Sequence, residues 1–441
     1  MITEGLSSME TKRLPPVRQW NNAGPLILLS IFVDEWNYFS VPMLSLFIEK
    51  SFSLNSYLLG TATGAIIAGS SLGSLLGGWL TDRFGRKRVF AGNMILFIFS
   101  ALLTALSANV TMFIVVRFIA GIPVGSDLAN GYAYLMESLP PGKREITGTK
   151  NTLMASLAIV SINLAVLLLI FIGVSQALVW KISVLISIIP ASVALAIVYR
   201  MAESTEWEAS RLHRPGIHSG LRSIFKDISS DPVLRRTSTF SWISGAASTI
   251  EVGTFAFFIP LIITSMDISG EIGSRLIILA VYSVGIPAGY LGPLIVSRIG
   301  LKKLSYRGYA ITMAAIVGSG LALIFQIYYL VPLFIVLFVW GNHWNSQPIL
   351  TSQSLVADPA LKGRITGLAN FAATIPAFIT TFLFPSIIDS AGLGWATLLV
   401  VAAPAAGLFA SIFIFREIFG YTSDINGLSE KKAKPDAYDS S

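Results

Sequence analysis

The chain contains no cysteine. Disulfides, thiolate metal sites and cysteine nucleophiles are therefore excluded. Histidine is scarce as well: His213 and His218 fall in a polar connecting stretch and His343 stands alone in an apolar one. No nucleophile or metal-ligand cluster accompanies His343, so an intramembrane enzyme has little to work with. No phosphate-binding glycine loop is present, which argues against ATP as a direct energy source. Charge is the scarcest of all, at 12% of residues against roughly 25% in soluble globular chains.

What replaces charge is hydrocarbon. The 441 residues are 54% hydrophobic, the mean hydropathy is +0.70, and apolar runs of about 20 residues recur, the length that crosses a bilayer. The first run contains Asp34 and Glu35, which an apolar signal-peptide core would not. The pattern predicts twelve membrane helices, at 24–47, 57–80, 88–107, 110–137, 147–172, 178–200, 238–266, 271–296, 304–326, 329–356, 363–389 and 394–416. The corresponding organisation is an N-terminal tail 1–23, a six-helix bundle 24–200, a polar linker 201–237, a second bundle 238–417 and a tail 418–441.

The cations test that topology. With both termini inside, all but four of the 31 Lys and Arg fall in the tails or the inner loops; the exceptions are Lys50, Lys181, Arg275 and Arg117. Cations beside a span resist translocation, so this asymmetry orients the chain. It also accounts for the net charge of +7 without a nucleic-acid partner.

One short loop concentrates the pattern: Gly77 to Arg88 places Arg83, Arg86, Lys87 and Arg88 between two helices. The spacing Gly78-x-x-x-Asp82-Arg83-x-Gly85-Arg86-Lys87 closely resembles the loop between helices 2 and 3 of the major facilitator superfamily. Ser297-Arg298-Ile299-Gly300-Leu301-Lys302-Lys303 echoes it in the second half, with Ser297 in place of the aspartate. Ile146-Thr147-Gly148 with Asn151 is likewise echoed by Ile365-Thr366-Gly367 with Asn370. Two six-helix repeats joined by a linker suit a transporter whose halves rock about a central site.

Further marks, Arg117-x-x-x-Gly121-x-x-x-Gly125, Tyr134-x-x-Glu137-x-x-Pro140-x-x-x-Arg144 and Glu203-Ser204-Thr205-Glu206-Trp207, are similar to those of the sugar porters and metabolite–proton symporters. Two features depart from that branch. Helix 7 lacks its paired glutamines, and Arg416-Glu417-Ile418-Phe419-Gly420 keeps a trace of its final motif. Gly121 and Gly125, four apart, read as a close helix contact. The resemblance implies a cytoplasmic gate made from Gly78, Asp82, Arg83, Gly85, Arg86, Lys87, Glu137 and Arg144.

Asp34, Glu35, Arg117, Asp127 and Glu251 lie well inside apolar helices. At about 2.5–3.5 kcal/mol each on insertion scales, such residues face a cavity and carry function. The resemblance implies proton coupling through an acid of helix 1 paired with the arginine of helix 4, here Asp34 and Arg117, with Glu35 as competing acid. Asp127, ten residues after Arg117, reads from its own position as a second proton site, a site for a cationic substrate or a packing group. The run Asn342, His343, Trp344, Asn345, Ser346, Gln347 is too polar to face lipid; with Asn37 and Glu251 it forms the expected substrate cavity.

These readings converge on an all-α, multi-pass plasma-membrane protein. It is expected to be a monomer that imports a small organic solute, a sugar or a carboxylate, with protons by alternating access. The proton gradient serves as energy source, with no cofactor and no metal. Arg117 favours an anionic solute, whereas the membrane acids favour protons or a cation. The alternatives are a proton-driven exporter or uniporter of organic ions and a non-transporting nutrient sensor. Helix 5 lacks the Gly-x-x-x-Gly-Pro run of drug antiporters, and the long cytoplasmic extensions typical of sensors are not expected.

Overall fold

A computed structural model describes residues 23–200, 202–204, 207–208, 221–266, 270–358 and 361–420. The polar tails and the linker centre that holds His213 and His218 lie outside the described residues. The first half comprises α1 (Ala23–Phe52), α2 (Ser56–Phe84), α3 (Arg86–Ala105), α4 (Val110–Ser138), α5 (Lys143–Phe171, broken after Gly148) and α6 (Gln176–Tyr199, broken at Ser187). The second comprises α7 (Pro232–Ser265), α8 (Gly270–Ser283, resuming at Gly285 and ending at Gly300), α9 (301–324), α10 (Val331–Val356), α11 (Lys362–Ala391) and α12 (Leu393–Ile414).

Local chemistry sets the ends. The side chains of Asn55 and Asn109 each accept a backbone N–H, from Leu58 and Met112, at 2.9 Å, and so cap α2 and α4. Asp231 accepts from Val233 at 2.8 Å, and Pro232 occupies the first turn. That cap starts α7 inside the segment expected to be linker. The linker also contains an amphipathic helix, Leu221–Ser230, whose Ile224 and Ile228 pack with Leu361 and Ile365. Gly85 and Gly300 sit at φ +96° and +83°, where only glycine is unstrained. They make equivalent tight turns in the two halves.

Among the described residues, nine helical stretches are long and apolar enough to cross a membrane; α8 and α9 count as one of them. The two helices that fall short are α1 and α10, which carry the acidic pair and the polar run. α3, α6, α9 and α12 turn apolar side chains such as Phe99, Ile189, Leu321 and Phe413 outward. α2 packs on α11 and α5 packs on α8, so these four helices join the halves, while α2 also packs on α4 within its own half. α1 meets α7, and α4 meets α10, around the centre.

The tightest seam is that between α2 and α4. A Cβ on Gly125 would lie 1.9 Å from the Ser70 carbonyl oxygen, and one on Gly121 would lie 2.1 Å from that of Ile66. The packing reading of these glycines therefore holds. Gly125→Val should force the backbones apart and cost more than the ~1–3 kcal/mol of ordinary overpacking, seen as a lower thermal unfolding midpoint in detergent. Gly92→Ala, whose new methyl meets nothing within 4 Å, should leave the midpoint unchanged or slightly raised.

Candidate functional site

α1 and α4 bring the acidic residues together. Asp34 is buried beside Asp127 and Glu35, close enough to interact electrostatically. Neither Asp34 oxygen has a hydrogen-bond partner. Asp127 accepts from Asn93 Nδ2 of α3 at 3.1 Å, and its other oxygen is unpartnered. The expected Asp34–Arg117 pair is not formed. Arg117 Nη2 instead donates to the Asn37 carbonyl at 2.6 Å, and Nε is unpartnered. The cause is register: α4 runs back along α1, and Asp127, ten residues beyond Arg117, is the residue that meets Asp34. Asn37 donates to the Val33 carbonyl at 2.9 Å and shapes α1 rather than the cavity.

The polar run of α10 divides by helical face. Asn342 and His343 face the centre. His343 Nε2 contacts Ser156 Oγ of α5 at 2.5 Å, and Nδ1 contacts the Val339 carbonyl at 2.6 Å. A carbonyl only accepts, so Nδ1 carries a hydrogen and Nε2 accepts from the serine in the neutral ring. Gln347 donates to Thr152 Oγ1 at 2.9 Å, a second contact across the halves. Trp344 donates to the Ala288 carbonyl at 3.2 Å and packs against α8. Asn345 and Asn342 each donate to Glu251 Oε2 at 3.0 Å, which places Glu251 behind the cavity wall. Helix α10 continues through Pro348.

Between the halves lies a cavity of about 170 Å³. Asp34, Glu35 and Tyr38 line it from α1, Asn151 and Thr152 from α5, Ser248 and Thr249 from α7, Tyr282 from α8, and Asn370 and Thr374 from α11. Of the lining residues, none is Lys or Arg. Asn151 and Asn370 are the repeated asparagines, and the internal symmetry of the sequence was the signal that could have found them. The hydroxyl residues carry no comparable signal, because Ser and Thr are common in membrane helices, where they bond back to their own turn, as Thr374 does to the Asn370 carbonyl at 2.8 Å.

The halves touch on both sides of this cavity. On the basic side, Asp82 accepts the backbone N–H groups of Gly363 (3.2 Å) and Arg364 (3.0 Å), the first amides of α11. A carboxylate suits a helix N-terminus by charge and by geometry. Arg86 is fully buried behind Asp82: it donates to Glu137 through Nε (3.1 Å) and Nη2 (2.6 Å), and to Asp82 through Nη1 (3.1 Å). Ser204 Oγ donates to Glu137 at 2.6 Å, and Trp207 donates to the Asp82 carbonyl at 2.9 Å. Glu203 receives the amides of Arg86 (2.8 Å) and Lys87 (3.3 Å). The second half repeats this device, with Glu417 receiving Leu301 and Lys302, each at 3.0 Å. Gly78 admits α11, since a Cβ there would lie 2.5 Å from the Gly363 carbonyl oxygen. Arg83 stands apart, stacked on Trp79 at 4.9 Å. Arg144 lies against Glu145 at 3.7 Å and donates to the Met136 carbonyl at 3.4 Å.

On the opposite side, Tyr38 and Phe39 meet Phe257 at ring separations of 5.1 and 5.2 Å. Arg275, expected on the outer side at the start of helix 8, is 2% exposed; its Nη1 donates to the Met43 carbonyl of α1 at 2.8 Å. A cation counted only for its topogenic value is thus a bridge between the halves.

Known proteins resemble this chain. The chain is 24% identical over 406 residues to the glucose transporter GlcP of Staphylococcus epidermidis, a match covering 84% of this chain and 87% of that protein. It is 32% identical to the arabinose-proton symporter of Bacillus subtilis over 123 residues, 27% of this chain and 26% of that one. The solved structure of the proton:xylose symporter XylE bound to 6-bromo-6-deoxy-D-glucose superposes with a TM-score of 0.76 at 17% identity, over 90% of this chain and 96% of that chain, and so shares the fold. The family profile described as Major Facilitator Superfamily matches residues 27–381. A match over that length, on a fold of two joined six-helix halves with a buried Asp82–Arg86–Glu137 cluster, places the chain in the Major Facilitator Superfamily.

Proposed function

We propose that this protein is a secondary transporter of the cell membrane that imports a small neutral sugar together with protons. The observation that carries the reading is the central cavity: carboxyls and uncharged hydrogen-bonding side chains line it, and no cation does. An anion entering it would lose water without gaining a counter-charge, at a cost of several kcal/mol. That breaks the tie between sugar and carboxylate in favour of the sugar, whose hydroxyls match amides, hydroxyls and carboxyls. The names of the relatives, a glucose transporter and an arabinose-proton symporter, support the same class. The cation asymmetry makes the basic face cytoplasmic and sets both termini inside. The protein works as a monomer, with the proton gradient as its only energy source.

The mechanism follows from the site. A proton held between Asp34 and Asp127 replaces two repelling charges by a hydrogen-bonded pair. With Asp34 so occupied, Arg117 turns to the Asn37 carbonyl, the arrangement described above. In the outward-open state Asp34 is ionised and draws Arg117 to itself. Proton and sugar enter from the outer face, and Arg275 and Phe257 close behind them. The basic face opens when Asp82 releases the α11 amides. Proton and sugar leave together.

Purified protein in liposomes should accumulate sugar from a panel of D-glucose, D-xylose, L-arabinose, gluconate and a cationic amine when the interior is alkaline. Gluconate uptake in place of sugar uptake would overturn the class. Asp34→Asn should abolish gradient-driven accumulation and retain counterflow exchange; loss of both in a protein with an unchanged unfolding midpoint would return Asp34 to a structural role. Asp82→Ala removes the acceptor for two α11 amides, about 1 kcal/mol as a helix cap, and should favour the inward-open state roughly fivefold. In this cysteine-free chain the shift is read by labelling Ser354→Cys with a membrane-impermeant thiol reagent from the basic side. Unchanged labelling would show that Asp82 does not latch that face.

A further inference from the structure

The second half contains an acid that the coupling scheme above does not use. Glu251 is fully buried on α7. Its Oε2 accepts from Asn342 and Asn345, and its Oε1 has no partner. Among the described residues Glu251 forms no ion pair: α10 presents it with the two amides, and the ionisable group that faces it from α9 is Tyr309, whose hydroxyl donates to the Ser244 carbonyl at 2.5 Å. His343, next to Asn342 in sequence, points away onto Ser156. Asn342 is the link: its amide touches Glu251 on one side and its side chain lines the cavity on the other. Immediately after Glu251, α7 passes into a π-helical turn, Val252–Ala256, and both Val252 and Ala256 line the same cavity. Such turns mark functional positions in helices.

We propose that Glu251 is a second proton-binding group, and that its protonation sets which face of the Asn342 carboxamide the cavity offers to the sugar. This rests on the transport reading above. A carboxylate can only accept, so ionised Glu251 holds the Asn342 amide NH₂ and leaves the amide oxygen free for a sugar hydroxyl. One proton, taken from the cavity, converts the carboxylate to a carboxylic acid. Its O–H then requires an acceptor, which the Asn342 oxygen supplies after the amide turns over. The cavity now presents NH₂ in place of C=O. Glu251 is thus a positioning residue that acts through Asn342 and tunes sugar affinity with pH, while Asp34 carries the gradient coupling.

Two measurements test this. Infrared difference spectra of the purified protein between acid and alkaline buffer should contain a carboxylic-acid C=O band that Glu251→Gln removes and Asp34→Asn keeps. If that band survives in Glu251→Gln, Glu251 does not titrate and the proposal fails. Counterflow exchange of labelled D-glucose, D-xylose and L-arabinose, with equal pH on both sides, isolates affinity from driving force. The KM of the wild type should change about fivefold across the titration, the size of one neutral hydrogen bond. It should be flat in Glu251→Gln, sloped again in Glu251→Asp, and still sloped in Asp34→Asn. A flat wild-type profile, or a Glu251→Gln profile with the wild-type slope, overturns the role of Glu251 alone. No exchange of any of the three sugars by the wild type overturns the transport reading itself.

Discussion

Hydrocarbon offers no hydrogen bonds, and this constraint organises the whole chain. Every polar group at membrane depth must find its partner inside the protein. The buried charges show two solutions. Arg86 is answered by two carboxylates, and Arg275 by a backbone carbonyl and the Phe47 ring at 4.8 Å. Asp34, Asp127 and Glu251 are answered by neither: each keeps at least one buried oxygen without a partner. The first kind holds the structure. The second kind leaves room for a proton, and all three of its members lie on or directly behind the central cavity.

The two faces of the molecule close by different physics. On the basic side the contact is a carboxylate on a helix N-terminus, backed by a buried cation. On the other side aromatic rings and one arginine pack against α1. A glycine permits the basic-side contact, because α2 can lie against the start of α11 only where no side chain stands between the backbones, as at Gly78.

Much of this was legible in the chain. Helix number follows from the apolar runs, and Asp82, Arg86 and Glu137, singled out by their spacing, do form one buried ion-pair cluster. The repeated asparagines mark both sides of the cavity. Individual partners were less legible. Arg117 and Asp34 carry the right charges for a pair, but helix register decides that Asp127 meets Asp34 in this conformation. Trp344, Asn345 and Gln347 are as polar as Asn342 and His343, yet α10 turns 100° per residue, so neighbours in one polar run serve the wall, the seam and the interior.

What the sequence by itself determined is the set of helices and the inventory of groups hydrocarbon will not tolerate, because transfer free energy depends on composition alone. What only the tertiary structure decided is how those groups are paired. Pairing depends on register and rotation between helices far apart in the chain, and those are set by packing, where a shift of one residue exchanges a cavity-lining side chain for a buried one. Arg275 is the plainest case: an outer-side cation at a helix end by its position in the sequence, and a bridge between the halves once α8 is seated against α1.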